Sequence, residues 1–148
     1  MPQNTDSTTF LIYLAGFLDG DGSIYVRAKP NSSYTYGYQI ASTIAFFQSR
    51  SNQKFLALCQ RIPFGTLRIR KDNIFEYTIA KQEEIKIFLK QLLPFLVLKQ
   101  EQAQLMFKIL DAKDLVQNKA DFSELLALID SFRALNYSKN RKVRTLTP

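Results

Sequence analysis

The chain has 148 residues, 46% of them hydrophobic and 22% charged, the composition of a folded domain with a core rather than of a disordered segment. Its 20 Lys+Arg against 13 Asp+Glu give a net charge of +7, which points to nucleic acid first and to an anionic membrane surface second. There is no histidine and one cysteine, Cys59, which excludes Ser-His-Asp catalysis, histidine general bases, His-ligated zinc and an intrachain disulfide. A metal used here would be a hard cation held by carboxylates, carbonyls and water. No apolar run approaches the ~20 residues of a membrane span; the longest candidate, residues 10–18, runs into Asp19 and Asp21. The opening Met-Pro-Gln-Asn-Thr-Asp lacks the basic start of a signal or transit peptide, so the expectation is a soluble protein made in the compartment where it acts.

In chain order, residues 10–22 read as a helix started by Ser7, Thr8 or Thr9 and stopped by Gly20 and Gly22. Residues 23–29 alternate, with Ile24, Val26 and Ala28 inward and Tyr25, Arg27 and Lys29 outward, a half-buried strand with a basic outer face. Pro30, Asn31, Ser32 and Ser33 form a turn. A second strand over 38–48 places Ile40, Ser42, Ile44 and Phe46 inward and Gln39, Ala41, Thr43, Ala45 and Phe47 outward. A short helix covers 54–62, with Cys59 as a small core residue. Strands 66–71 and 74–80 join at Asp72-Asn73. Helical periodicity covers 83–93, stops at Pro94 and resumes over 95–110. A last helix over 121–135 opens with Asp121 and Glu124 in capping-box spacing. The order α-β-β-α-β-β-α-α predicts one α+β domain over 1–148: an antiparallel four-stranded sheet backed by helices, with a basic tail over 136–148.

The first helix carries the strongest signal. It is apolar all round from Phe10 to Leu18, so both faces should be buried. Tyr13, Gly16, Phe17 and Gly20 share one stripe, and small residues at that spacing let two helix backbones approach closely. A central helix buried inside one subunit would show the same spacing. The helix ends in Asp19-Gly20-Asp21-Gly22. An acidic pair opposes the helix dipole at this end, which a bound cation would offset, although Asp-Gly is also ordinary turn chemistry.

Leu14 through Gly22, Leu-Ala-Gly-Phe-Leu-Asp-Gly-Asp-Gly, closely resembles the signature of the LAGLIDADG homing endonucleases. The strands that follow and the segment Leu98-Lys99-Gln100-Glu101-Gln102 look like the single-motif members encoded in algal organelle group I introns. One motif copy implies a homodimer whose paired motif helices meet through Tyr13, Gly16, Phe17 and Gly20. The resemblance further implies that Asp21 and the Gly20 carbonyl hold magnesium, with manganese as a substitute, and that Gln48 and Lys99 complete the catalytic set. Asp19 matches a motif position with a capping or structural role. Relatives carry a further basic residue a few positions after the glutamine; Asn52 aligns there, with Arg50 and Lys54 on either side. No small-molecule cofactor or membrane is implied, and the location is organellar (chloroplast).

Strand alternation directs Arg27, Lys29, Asn31, Ser33, Tyr34, Gln39, Arg68, Arg70 and Glu76 outward, a mixture able to pair with bases in the major groove of double-stranded DNA. Ser138, Lys139, Asn140, Arg141 and Lys142 look like a phosphate-gripping tail. The resulting expectation is a magnesium-dependent homing endonuclease that makes a double-strand break in a long pseudo-palindromic target, leaves 3′ overhangs and promotes intron mobility. A non-cleaving group I intron maturase or DNA-binding protein on the same fold is the alternative. Glu84-Ile85-Lys86 suggests a PD-(D/E)xK nuclease, but that chemistry wants a strand and these residues have helical periodicity.

Overall fold

The computed structural model describes residues 3–136. It contains α1 (Gln3–Asp21), β1 (Gly22–Pro30), β2 (Tyr38–Ser49), α2 (Lys54–Gln60), β3 (Thr66–Ile69), β4 (Ile74–Ile79), α3 (Gln82–Leu92), a 3₁₀ turn (Leu93–Phe95), α4 (Gln100–Asp114) and α5 (Lys119–Leu135). The four strands form one sheet in the order β1-β2-β4-β3, and β4 runs antiparallel to both β2 and β3. The α+β class and the four-stranded sheet match the sequence expectation, with one more helix than the predicted order contained. The chain divides into two compact units. One joins the residues up to Ser23 with Thr43–Gln100; the other joins Ile24–Ser42 with the residues from Glu101 onward.

The first unit is built on α1 and on alternation in the strands. Leu14, Ala15 and Leu18 of α1 are buried, as are Ile44 and Phe46 of β2, Phe75, Tyr77 and Ile79 of β4, and Ile85, Phe88, Leu89 and Leu92 of α3. Phe46 stacks on Phe17 at 5.0 Å and meets Phe88 edge-on at 6.4 Å. Each such side chain contributes about 1.5–3 kcal/mol by leaving water. Gly22 marks where the chain leaves α1 tightly: a Cβ there would lie 2.6 Å from Leu18 Cδ1 and 3.1 Å from the Phe46 ring.

In the second unit, Ile24, Val26 and Ala28 of β1 are buried, as predicted, with Met106, Ile109 and Leu110 of α4 and Leu125, Ile129 and Phe132 of α5. Tyr36 and Tyr38 stack on Phe122 at 5.0 and 6.1 Å, which ties the β1–β2 connection to α5. Asn136 caps this unit, its Nδ2 donating to the Ile24 carbonyl at 2.7 Å.

Several local expectations are corrected. α1 starts at Gln3, ahead of Ser7, Thr8 and Thr9, because nothing between Gln3 and Gly16 breaks a helix. Ala45, assigned to the outer side of β2, is fully buried within this interior strand. The helix expected from residue 95 begins at Gln100. Leu96 is extended, with ψ 139°, and the backbone N–H groups that follow are taken by a side chain from α1. The α5 cap is Asn118, whose Oδ1 accepts from Asp121 N at 2.8 Å, while Asp121 Oδ2 accepts from Gln117 N at 3.1 Å. This reciprocal pair replaces the predicted Asp121/Glu124 box. β3 and β4 are shorter than predicted, and Asn73 turns the chain between them with φ 62°. Glu84, Ile85 and Lys86 lie within α3, as their periodicity indicated.

Cys59 is buried, and burial pushes its thiol from 9.0 up to about 11. Tyr77, whose hydroxyl donates to the Phe64 carbonyl, is pushed from 10.0 up to about 12, by burial first and then by the neighbouring charges of Cys59 and Glu84. Both folded values lie above the unfolded ones, so the folded protein retains protons that the unfolded chain releases. Stability is therefore expected to fall as pH rises through this range, beginning near the unfolded Cys59 value of 9.0. Urea midpoints measured along an alkaline series check this; midpoints unchanged across that range would contradict it.

Candidate active site

The end of α1 gathers the predicted catalytic residues. Asp21 is the last helical residue and is exposed. Gln48, the penultimate residue of β2, donates from Nε2 to Asp21 Oδ2 at 2.7 Å. That leaves Oδ1 without a partner among the described residues. Position explains the exposure. The acid lies where the helix dipole is negative and the last backbone carbonyls have no intrahelical partner, so the spot collects oxygen ligands and repels anions. These groups fit a hard divalent cation. They do not complete one: no group of three or more His, Cys, Asp or Glu residues suited to a metal occurs among the described residues.

Lys99 reaches the same helix end. Its Nζ donates to the Asp19 backbone carbonyl at 2.7 Å, and its backbone N–H donates to Asp19 Oδ1 at 2.9 Å. Asp19 Oδ2 accepts from Val97 N at 2.8 Å. The Asp19 side chain is buried, at 9% exposure, and its two backbone donors offset the cost of burying a carboxylate.

Asn52, at the position aligned with the relatives' further basic residue, lies against Gln48. Asn52 donates from Nδ2 to Gln48 Oε1 at 3.1 Å. A carboxylate only accepts, so the end of Gln48 facing Asp21 must be its amine, and its oxygen must then accept from Asn52. Arg50 instead lines a surface groove with Leu56, Leu67, Arg68 and Phe75. Lys54 lines another with Phe10, Tyr13, Leu58 and Arg61. Sequence reading missed the amide link to Asn52, because Gln48 lies in β2 and Asn52 beyond its end, where no periodicity relates the two.

Among the predicted DNA-binding residues, Arg27, Lys29, Ser33 and Tyr34 are exposed, while Asn31 and Gln39 are half-buried. Asn31 Oδ1 accepts from Ser33 N at 3.0 Å and from Ser33 Oγ at 2.6 Å, so these two residues build the turn. In the first unit, Arg68 opposes Glu76 across β3 and β4 and pairs with it at 2.7 Å. Arg70 pairs with Asp72 at 2.9 Å and lies 5.7 Å from the Phe47 ring. Ser138, Lys139, Asn140, Arg141 and Lys142 lie outside the described residues.

The predicted contact stripe is open on the subunit's own surface. Tyr13 is 57% exposed, Gly16 and Gly20 are exposed, and a Cβ at either glycine would meet nothing within 4 Å among the described residues. Phe17 departs from the stripe: it is half-buried against Phe46 and Phe55. The chain itself therefore does not bury both faces of α1.

An antiparallel sheet preceded by a helix that ends in an exposed, amide-linked aspartate defines a recognisable class. The sequence matches the LAGLIDADG endonuclease family over residues 14–109. The DNA endonuclease I-CreI of Chlamydomonas reinhardtii is 40% identical over 93% of this chain and 85% of its own length. The DNA endonuclease I-CvuI of Chlorella vulgaris is 29% identical over 96% and 89%. A crystal structure of I-CvuI with its DNA target in calcium superposes with a TM-score of 0.85, covering 94% of this chain and 89% of that one at 27% identity. The chain belongs to the LAGLIDADG endonuclease family, the single-motif homing endonucleases of the algal type.

Proposed function

We propose that this protein is a site-specific homing endonuclease that hydrolyses both strands of a long pseudo-palindromic DNA target as a magnesium-dependent homodimer. The observation that carries this is the exposed Asp21 carboxylate at the end of α1, held by Gln48 in a chain 40% identical to a DNA endonuclease. Manganese substitutes for magnesium on the same oxygen ligands. The breaks leave 3′ overhangs and promote mobility of the intron, and the protein works in the chloroplast, in keeping with its algal relatives.

In this reading, Asp21 and the Gly20 carbonyl hold the cation, and two subunits bring two such ends together through Tyr13, Gly16, Phe17 and Gly20. A divalent cation supplies Lewis acidity, drawing charge from a phosphate oxygen and making water more acidic. Gln48 fixes which carboxylate oxygen of Asp21 remains free. Lys99 places an ammonium at the helix end; one of its three donors is engaged on Asp19, so two remain for a phosphate oxygen or water. That charge would counter the negative charge that builds on the phosphoryl oxygens as a nucleophile adds.

The sheet reads the DNA. Arg27, Lys29, Asn31, Ser33, Tyr34, Gln39, Arg68, Arg70 and Glu76 are the residues assigned to DNA contact. The exposed Arg70–Asp72 pair stabilises the free protein little, so Arg70 is free to exchange its carboxylate for a base edge. Arg70→Ala should relax preference at one base pair per half-site, by about 1–3 kcal/mol. Arg141→Ala should weaken binding to all sequences alike, as loss of a phosphate contact does. Competition binding against single-base variants of the target separates the two, and uniform losses in both would overturn the assignment.

Selection of cleaved duplexes from a randomised library in magnesium tests the function as a whole. Enrichment of one long, nearly palindromic sequence is expected. Duplexes that are bound and enriched but never cut would favour the maturase or DNA-binding alternative.

A further inference from the structure

We infer that Asp19 is a positioning residue for cleavage: it holds Lys99 at both ends, so that the Lys99 ammonium is delivered to the helix end that carries Asp21. This rests on the reading of Lys99 as a catalytic residue given above.

Three hydrogen bonds join this one residue to a segment nearly eighty residues further along the chain. Asp19 Oδ2 accepts from Val97 N at 2.8 Å, Asp19 Oδ1 from Lys99 N at 2.9 Å, and the Asp19 carbonyl from Lys99 Nζ at 2.7 Å. The segment is otherwise weakly held. It follows the 3₁₀ turn, Leu96 is extended and Gln100 is the first residue of α4. Val97 and Leu98 are 78% and 72% exposed, so their side chains give the segment little anchorage among the described residues. Leu96 is the one buried apolar residue between Phe95 and Gln100.

The fixing of Lys99 therefore falls to polar contacts. A lysine side chain has four rotatable bonds and loses about 2 kcal/mol of rotamer freedom when ordered. Its Nζ finds one place only if its backbone is also fixed. Asp19 does both with two different groups, a carboxylate on the backbone and a carbonyl on the ammonium. The same residue lies two positions before Asp21 in the helix. The spacing between the Lys99 ammonium and the Asp21 carboxylate is thereby set by a rigid turn of α1, independent of the loop.

The test uses the full-length protein and the duplex recovered by selection from a randomised library. Asp19→Asn, Lys99→Ala and the double variant are compared in single-turnover cleavage with magnesium, and in binding with calcium. Asp19→Asn keeps the size of the side chain but turns an amine toward one of the two N–H donors, so one contact becomes repulsive. Its cleavage rate should fall about a hundredfold, the effect of displacing a reacting group by roughly 1 Å, with affinity for the duplex unchanged. The double variant should be no slower than Lys99→Ala, because Asp19 acts through Lys99. Losses that multiply in the double variant, or an Asp19→Asn rate equal to wild type, would overturn the inference. If Lys99→Ala alone cuts at the wild-type rate, the catalytic reading of Lys99 fails instead. Should circular dichroism show Asp19→Asn unfolded, Asp19→Glu decides: it retains the charge and lengthens the arm. A rate between those of wild type and Lys99→Ala supports the inference, and a wild-type rate overturns it.

Discussion

Asp21→Asn is expected to abolish cleavage, by roughly a thousandfold or more, the scale on which a principal electrostatic group is lost from a catalytic site. Binding should survive. The amide keeps the size of the side chain and can still accept from Gln48 Nε2, which lies 2.7 Å from the carboxylate in the wild type. It is, however, a poor ligand for a hard cation, which wants charged oxygen. In the proposed dimer the change removes two negative charges beside the proposed phosphate position, which should leave affinity equal or higher. Cleavage and equilibrium binding measured on the same duplex separate the two effects. An Asp21→Asn protein that cuts normally would remove Asp21 from the mechanism, and one that no longer binds would make it a recognition residue.

Gly16→Leu is expected to abolish association and double-strand cutting together. Among the described residues nothing lies within 4 Å of a Cβ at that position, so the subunit leaves room where the new side chain begins. Leucine also favours a helix over glycine by about 0.8–1 kcal/mol, so the isolated subunit should be no less stable. The whole loss must then arise between subunits. Overpacking costs about 1–3 kcal/mol per site, and a two-fold axis repeats the change, giving about 2–6 kcal/mol, or roughly one and a half to four decades in association. Sedimentation of wild type and Gly16→Leu at one concentration checks this. A variant that remains dimeric and active would place the subunit contact elsewhere.

Much of this site was legible in the sequence because its parts are local. The motif puts Asp21 at a helix end, and the family resemblance points to Gln48 near the end of β2, where the structure joins the two. Inward positions in β1 followed from a period of two, and the structure buries Ile24, Val26 and Ala28. The partnership of Asp19 with Val97 and Lys99 was not legible. It joins a side chain to backbone groups nearly eighty residues away, and such contacts leave no periodicity in either segment. The same contacts explain the misplaced start of α4. Apolar spacing over 95–99 looks helical, but the N–H groups of Val97 and Lys99 are satisfied by a carboxylate rather than by a helical turn. Asn118 was overlooked because Asp121 and Glu124 offered a more familiar pattern, whereas the carboxylate of Asp121 turns back to Gln117. The open face of α1 was ambiguous in sequence, where an apolar surround suits a buried helix and a paired one equally. Its exposed Tyr13 and unobstructed Gly16 and Gly20 support pairing.

The most direct measurement is cleavage of a supercoiled plasmid carrying the selected duplex once, by wild-type protein, with magnesium and again with excess chelator. A single linear product in magnesium and intact supercoiled plasmid in chelator are predicted. Specific binding at the site with the plasmid left supercoiled in magnesium would contradict the account, as would linear product formed in chelator.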